Sequence, residues 1–223
     1  MGVLFIENAA ARKKEVLRYA GYRGQVLSDQ MQRTVDQVIA QTEQLVRPRL
    51  VYRLFTLEKS EKTYYLKEAQ FPLKGEKINT HLDGCSKAIL IAATLGEEMD
   101  RKIRASQVVS PSEALLYDSC ASGMIERVCD LGEERIALLE HLNKNLFTTR
   151  FSPGYGDFPL NEQKAFLQIL DTSRRIGLFV STGDVLMPMK SITAIIGIGC
   201  KNQKKQSPCA VCEKRKDCFF KKI

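Results

Sequence analysis

What this chain has little of narrows its chemistry before any motif is read. It contains no tryptophan and two histidines, His81 and His141. These are too far apart to share metal-ligand spacing, so each is expected to be a surface or cap residue rather than a ligand. There is no G-x-x-x-x-G-K-[ST] phosphate loop, no G-x-G-x-x-G, no G-x-S-x-G elbow and no H-E-x-x-H pair. Those absences disfavour P-loop, dinucleotide, α/β-hydrolase and zincin chemistry. No apolar run approaches the ~20 residues that cross a bilayer. The start Met1-Gly2-Val3-Leu4-Phe5-Ile6 has neither the basic flank nor the cleavage site of a secretory leader. A cytoplasmic address with no membrane partner is therefore expected, and no internal repeat or low-complexity stretch is evident.

What is present suffices for a sizeable core, with 44% hydrophobic residues in 223. Met31, Val35, Val38, Ile39, Thr42, Leu45 and Val46 recur at helical spacing behind Ser28, which predicts a capped helix that Pro48 stops. Leu50 to Leu57 and Thr63 to Leu66 read as a hairpin about a charged turn, Glu58 to Lys62. The run Ala88 to Ala93 reads as a buried strand, with Gly96 opening a helix from Glu97 to about Gln107. Pro111 starts a long helix through Cys120, Met124 and Val128 that Gly132 could interrupt before about His141. Glu162 to Arg174 reads as one amphipathic helix, and strands are expected at Leu178 to Val180 and Ile192 to Ile198. Helices and strands mix without steady βαβ repetition. The fold class that follows is α+β, a largely antiparallel sheet with flanking helices.

The segment Arg150-Phe151-Ser152-Pro153-Gly154-Tyr155-Gly156 sets one permanent cation against a rigid turn. Pro153 fixes its own φ and pushes Ser152 toward extended geometry, while Gly154 and Gly156 permit positive φ and close approach by a ligand. Arg150 can fork onto a carboxylate, and Tyr155 can lie against an apolar or cationic group, so the segment suits an amino-acid-like ligand. An arginine that only braces a common Pro-Gly turn is the alternative. Glu126 and Asp130 stand one helical turn apart on the long helix and could face the same groove, or simply face solvent. Asp157 is either a further acidic contact or a turn acceptor.

Four of the seven cysteines, Cys200, Cys209, Cys212 and Cys218, fall in the last 24 residues. The Cys209-Ala210-Val211-Cys212 spacing lets two sulfurs converge on a metal, with Cys218 and Cys200 as further ligands of zinc or an iron-sulfur cluster. A flexible tail of thiols is the alternative. The division that follows is a domain over 1–199 and a basic, Cys-rich tail over 200–223. From Lys201 onward eight Lys or Arg residues face Glu213 and Asp217, a net of +6, so only +2 of the total +8 belongs to the preceding chain. Such a tail can offset bound thiolates or bind an acidic face. It carries no nucleic-acid motif, so nucleic acid is a disfavoured partner. Cys85, Cys120 and Cys129 read as small buried hydrophobes without chemistry.

The run RFSPGYGDFPL, followed by a helical segment and SITAIIGIG, resembles the activation domain of cobalamin-dependent methionine synthase in its short stand-alone form. The stretches LRYAGYRGQ (Leu17 to Gln25) and RPRLVYRLF (Arg47 to Phe55) resemble the same group. The resemblance covers the chain to about Gly199. It implies that Arg150 contacts the carboxylate of S-adenosylmethionine, that Pro153, Gly154, Tyr155 and Gly156 line the same groove, and that Glu126 lies near an acidic contact for the ammonium. It further implies a role in methionine biosynthesis. There the chain would be a methyltransferase component that reactivates cobalamin on a corrinoid partner, or on a methionine synthase lacking its own activation domain, with an electron donor. The cysteine-rich ending then favours iron-sulfur over zinc, because reactivation needs an electron. The family's N-terminal aspartate and adjacent tyrosine pair find no counterpart, which leaves the groove wall opposite Arg150 unassigned. An iron-sulfur electron-transfer protein and a zinc-stabilised nucleic-acid-binding module are the other two readings.

Overall fold

The structure, a computed structural model, describes residues 1–199. Strand β2 (Arg49–Ser60) organises the sheet. Along one edge it pairs with β5 (Lys87–Thr94). On the other edge, its first residues take β1 (Gly2–Phe5) and its last take β3 (Thr63–Leu66). β8 (Ser191–Ile198) follows β5 and β4 (Phe71–Pro72) follows β3, giving the order β4-β3-β2-β5-β8 with β1 on β2 and every pairing antiparallel. A separate short pair joins β6 (Phe179–Val180) to β7 (Leu186–Met187). The α+β expectation holds.

Helices cover both faces, and the alternation of β5 shows why its apolar run is unbroken. Ile89, Ile91 and Ala93 enter a core built with α1 (Lys13–Tyr19), α2 (Asp29–Leu45), α4 (Glu97–Val109) and α5 (Pro111–Leu139). Ala88, Leu90 and Ala92 enter a second core with α3 (Glu76–His81), α6 (Glu162–Leu170) and α7 (Thr172–Ile176). A strand clad on both sides loses polar alternation, because each side chain that leaves water gains about 1.5–3 kcal/mol for a Leu or Ile.

Local chemistry sets the element ends. Ser28 accepts the Met31 N–H at 3.3 Å and so caps α2 as expected. The hairpin strand runs on to Ser60, which shrinks the expected turn to Glu61 and Lys62, with Glu61 at φ 53. Gly132 does not interrupt α5. A Cβ there would collide with Leu50 Cδ1, so the glycine lets the helix lie close on β2. The expected single helix from Glu162 breaks instead into α6 and α7 at Asp171, which is left-handed at φ 49. β1, α1, α3 and β7 have no forecast counterpart, being too short for periodicity to emerge.

Cys120 and Cys129 are buried thiols, as expected, and burial pushes Cys120 up to about 11 and Cys129 higher still. Cys85 departs from that expectation, being buried but disulfide-bonded. No helix among the described residues is long and apolar enough to cross a membrane.

Candidate functional site

Arg150 lies on a segment that acts as a surrogate strand along β8. Phe151 and Ile195 exchange N–H···O bonds of 2.9 Å in both directions. Thr148 donates its N–H to Gly197 O and accepts the Gly197 N–H on its hydroxyl, each at 2.9 Å. His81 Nε2 stands 2.9 Å from both Thr148 Oγ1 and Thr149 O. A carbonyl only accepts, so Nε2 carries the proton, and burial lowers the pKa of this imidazole. The end of α3 thereby pins the segment from which Arg150 projects.

The guanidinium reaches α5, where Glu126, Asp130 and Glu133 form one stripe at helical spacing. Arg150 Nη2 donates to Glu126 Oε2 at 2.7 Å, and Nη1 donates to Asp130 Oδ1 at 2.9 Å and to Glu133 Oε1. Exposure ranks these partners: the Arg150 and Glu133 side chains are 19% and 12% exposed, whereas Glu126 and Asp130 are 37% and 49% exposed. Burial raises the Glu133 carboxyl pKa, and the Arg150 charge offsets part of that rise. Burial also opposes the guanidinium's charge, yet Cys129 and the three carboxylates hold its pKa well above the ordinary value.

The turn that follows is closed on itself. Tyr155 N–H donates to Ser152 O at 3.1 Å, Phe158 N–H to Tyr155 O at 3.0 Å and Gly154 N–H to Phe158 O at 2.8 Å. Pro153 is buried beneath it. Gly154 and Gly156 adopt the expected positive φ, at 91° and 57°. Their close approach is to the chain's own side chains: a Cβ at Gly154 would sit 3.2 Å from Leu160 Cδ1, and one at Gly156 would sit 2.5 Å from Lys77 Cδ. Tyr155 is 53% exposed and meets Phe151 edge-on at 6.0 Å. Phe151 and the buried Phe158 continue the contact inward, 6.3 Å apart. Asp157, weighed as an acidic contact for a ligand, instead caps α3, its carboxylate accepting Glu76 N–H at 2.6 Å and Lys77 N–H at 3.0 Å. Against the burial that would raise it, those two amides hold its pKa below the usual range.

The motif LRYAGYRGQ closes α1 beside this stripe. α1 packs against α5 at Gly123, where a Cβ would make ordinary contact with Glu15 Cβ at 3.6 Å and with Ala11 Cβ, just before α1, at 3.5 Å. Arg18 pairs with Glu15 at 2.6 Å and lies 4.1 Å over the Tyr19 ring. Burial first, and then the charge of Glu126, raises the Tyr19 pKa. Glu133 and Tyr19 were not singled out from the sequence. The spacing from Glu126 through Asp130 to Glu133 was the available signal for the first, and the stretch LRYAGYRGQ, which contains Tyr19, for the second.

A groove of about 540 Å³ lies elsewhere, lined by Phe5, Glu7, Glu43, Arg47 and Met124 among others. None of the residues of the Arg150 turn lines it. Among the described residues no group of His, Cys, Asp and Glu could hold a metal ion. Cys200, Cys209, Cys212 and Cys218 lie outside the described residues.

No protein-family profile matches the chain, and no curated protein matches it in sequence. The fold does find counterparts. The crystal structure of the MetH reactivation domain bound to AdoHcy superposes with a TM-score of 0.66 at 14% identity, covering 92% of this chain and 80% of that one. The mixed helical and antiparallel architecture described above is that of the MetH reactivation domain.

Proposed function

We propose that this chain binds S-adenosylmethionine at the Arg150 turn and serves as the reactivation subunit of a cobalamin-dependent methionine synthase or a related corrinoid methyltransferase. The observation that carries the reading is a mostly buried guanidinium held by a stripe of carboxylates, at the head of a turn that carries a half-exposed tyrosine, in a chain with this fold. A zwitterionic amino-acid head needs both signs of charge at fixed separation. Arg150 would take the carboxylate, Glu126 with Asp130 the ammonium, and the Pro153 to Gly156 turn with Tyr155 would flank the remainder. AdoHcy in the superposing domain differs from S-adenosylmethionine by one methyl group, which is consistent with this ligand class.

The chemistry supplied by such a site is positional. A one-electron donor reduces a partner's Co(II) corrinoid to Co(I), which attacks the sulfonium methyl. The carbon–sulfur bond breaks with its electron pair left on sulfur, giving methyl-Co(III) and S-adenosylhomocysteine. No acid or base is required, in keeping with the absence of a catalytic dyad at the turn, and alignment supplies the rate. On grounds of spacing we assign Cys209, Cys212 and Cys218 to an iron-sulfur cluster, or to zinc; with Cys85 in a disulfide and Cys120 and Cys129 free, these three and Cys200 cannot all four be thiolate ligands. Calorimetric titration of S-adenosylmethionine into anaerobically purified protein tests the reading. Saturable binding is expected, weakened at least about tenfold by Arg150→Lys, which keeps a charge but loses the fork. Absence of saturable binding to the unmodified chain would sink it.

A further inference from the structure

Charge at the Arg150 site does not balance, and the imbalance bears on which ligand the site prefers. Arg150 is shared by Glu126, Asp130 and Glu133. Among the described residues, Arg18 pairs with Glu15 at 2.6 Å and Lys144 with Glu134 at 3.1 Å, Lys144 also acting on Glu133, so each of these cations brings a carboxylate of its own. One guanidinium therefore faces three carboxylates, a net of −2 when all are ionised and −1 if the buried Glu133 keeps a proton. A ligand carboxylate docking on Arg150 makes the site more negative still. Only a ligand that brings more positive than negative charge relieves it.

S-adenosylmethionine does so, with one carboxylate, one ammonium and one sulfonium for a net of +1. Its demethylated form is a neutral zwitterion. We propose that the excess carboxylate charge on α5 makes the site select the sulfonium ligand over its thioether product, S-adenosylhomocysteine, so that methyl transfer itself loosens the ligand. This rests on the reading that S-adenosylmethionine binds at the Arg150 turn. The balance is simple: the methyl leaves the sulfonium, the bonding pair stays on sulfur, and the ligand's charge falls by one unit while the protein's is unchanged. The sulfur lies two methylenes beyond the carbon that bears the ammonium. It therefore stays within the field of a stripe whose outer members, Glu126 and Asp130, are more than a third exposed and able to face it.

Paired titrations of S-adenosylmethionine and S-adenosylhomocysteine, at low salt and in about 0.5 M salt, test this in the unmodified protein and in Asp130→Asn. At low salt the sulfonium ligand is expected to bind roughly tenfold more tightly, the product being weakened rather than excluded. That ratio should fall toward unity in salt, as the Debye length shrinks from ~10 Å at 0.1 M toward ~3 Å at 1 M. It should fall in Asp130→Asn as well, whatever that substitution does to overall affinity. Equal affinities at low salt, or a ratio moved by neither salt nor substitution, would overturn the proposal while leaving the ligand assignment standing. Failure of both ligands to bind would remove the assignment and the proposal together.

Discussion

Removing the Arg150 guanidinium should cost stability in proportion to how far its partners can retreat into water. Deleting one member of a buried ion pair costs about 3–5 kcal/mol, chiefly because the other charge is stranded. Here the Glu126 and Asp130 side chains, 37% and 49% exposed, can rehydrate, so each of those legs is worth only ~0–1 kcal/mol. Glu133, at 12% exposed, cannot. Arg150→Ala should therefore cost about 2–4 kcal/mol, which for a chain of this length lowers Tm by roughly 5–10 °C. Glu133 also sets the pH dependence. Its folded pKa is already raised by burial and should rise further without Arg150. The stability it contributes is present below the unfolded value near 4.5 and is lost as pH rises through the folded value, so the deficit should be larger at about pH 8 than at about pH 5. Adding Glu133→Gln to Arg150→Ala should restore most of the loss. Thermal and urea unfolding across pH read all three quantities. A mutant within about 1 °C of the parent, or a deficit that neither pH nor Glu133→Gln alters, would refute the reasoning.

Three further substitutions or titrations probe the scaffold around the site. Asp157→Ala removes the cap that accepts the Glu76 and Lys77 amides and should cost about 1 kcal/mol, visible as faster hydrogen exchange at those two N–H groups. Lowered pH should loosen the Arg150 segment through His81. Its folded pKa lies below the ordinary 6.5, so its contribution is present above that value and is lost as pH falls toward the folded one. Exchange at Thr148 to Phe151 should accordingly quicken between about pH 7.5 and pH 5.5, and more so than in His81→Gln. Gly132→Ala gains up to about 1 kcal/mol of helix propensity but drives a Cβ into the fully buried Leu50. We expect a net loss of roughly 1 kcal/mol in denaturant unfolding, and a stabilised protein would show that α5 can move off β2.

Elements with strong local signals were legible in the sequence. The α2 helix announced itself by Ser28, its periodicity and Pro48, and β5 by an apolar run that only a strand covered on both faces can sustain. Gly132 misled because its backbone freedom suggests a break, whereas its missing side chain lets α5 lie against Leu50. Asp171 was missed as a break because its only trace, an Asp-Thr-Ser run headed by a residue that tolerates a left-handed turn, was outweighed by the apolar periodicity from Glu162 onward. At the site, Arg150 and its turn were visible from Pro153, Gly154 and Gly156, and Glu126 and Asp130 were visible as carboxylates that could face the same groove, but Glu133 was not. Glu133 becomes a partner only because α5 packs beneath the segment after Phe147, a long-range fact that no local window carries. Asp157 likewise belongs to a helix 80 residues upstream, at Lys77.

Where S-adenosylmethionine binds can be read from amide chemical shifts of isotopically labelled protein titrated with it. Binding at the Arg150 turn should give saturable shifts concentrated at Arg150 to Phe158 and along α5 from Glu126 to Glu133. No shifts, or shifts clustered instead around the groove lined by Phe5, Glu43 and Met124, would contradict it.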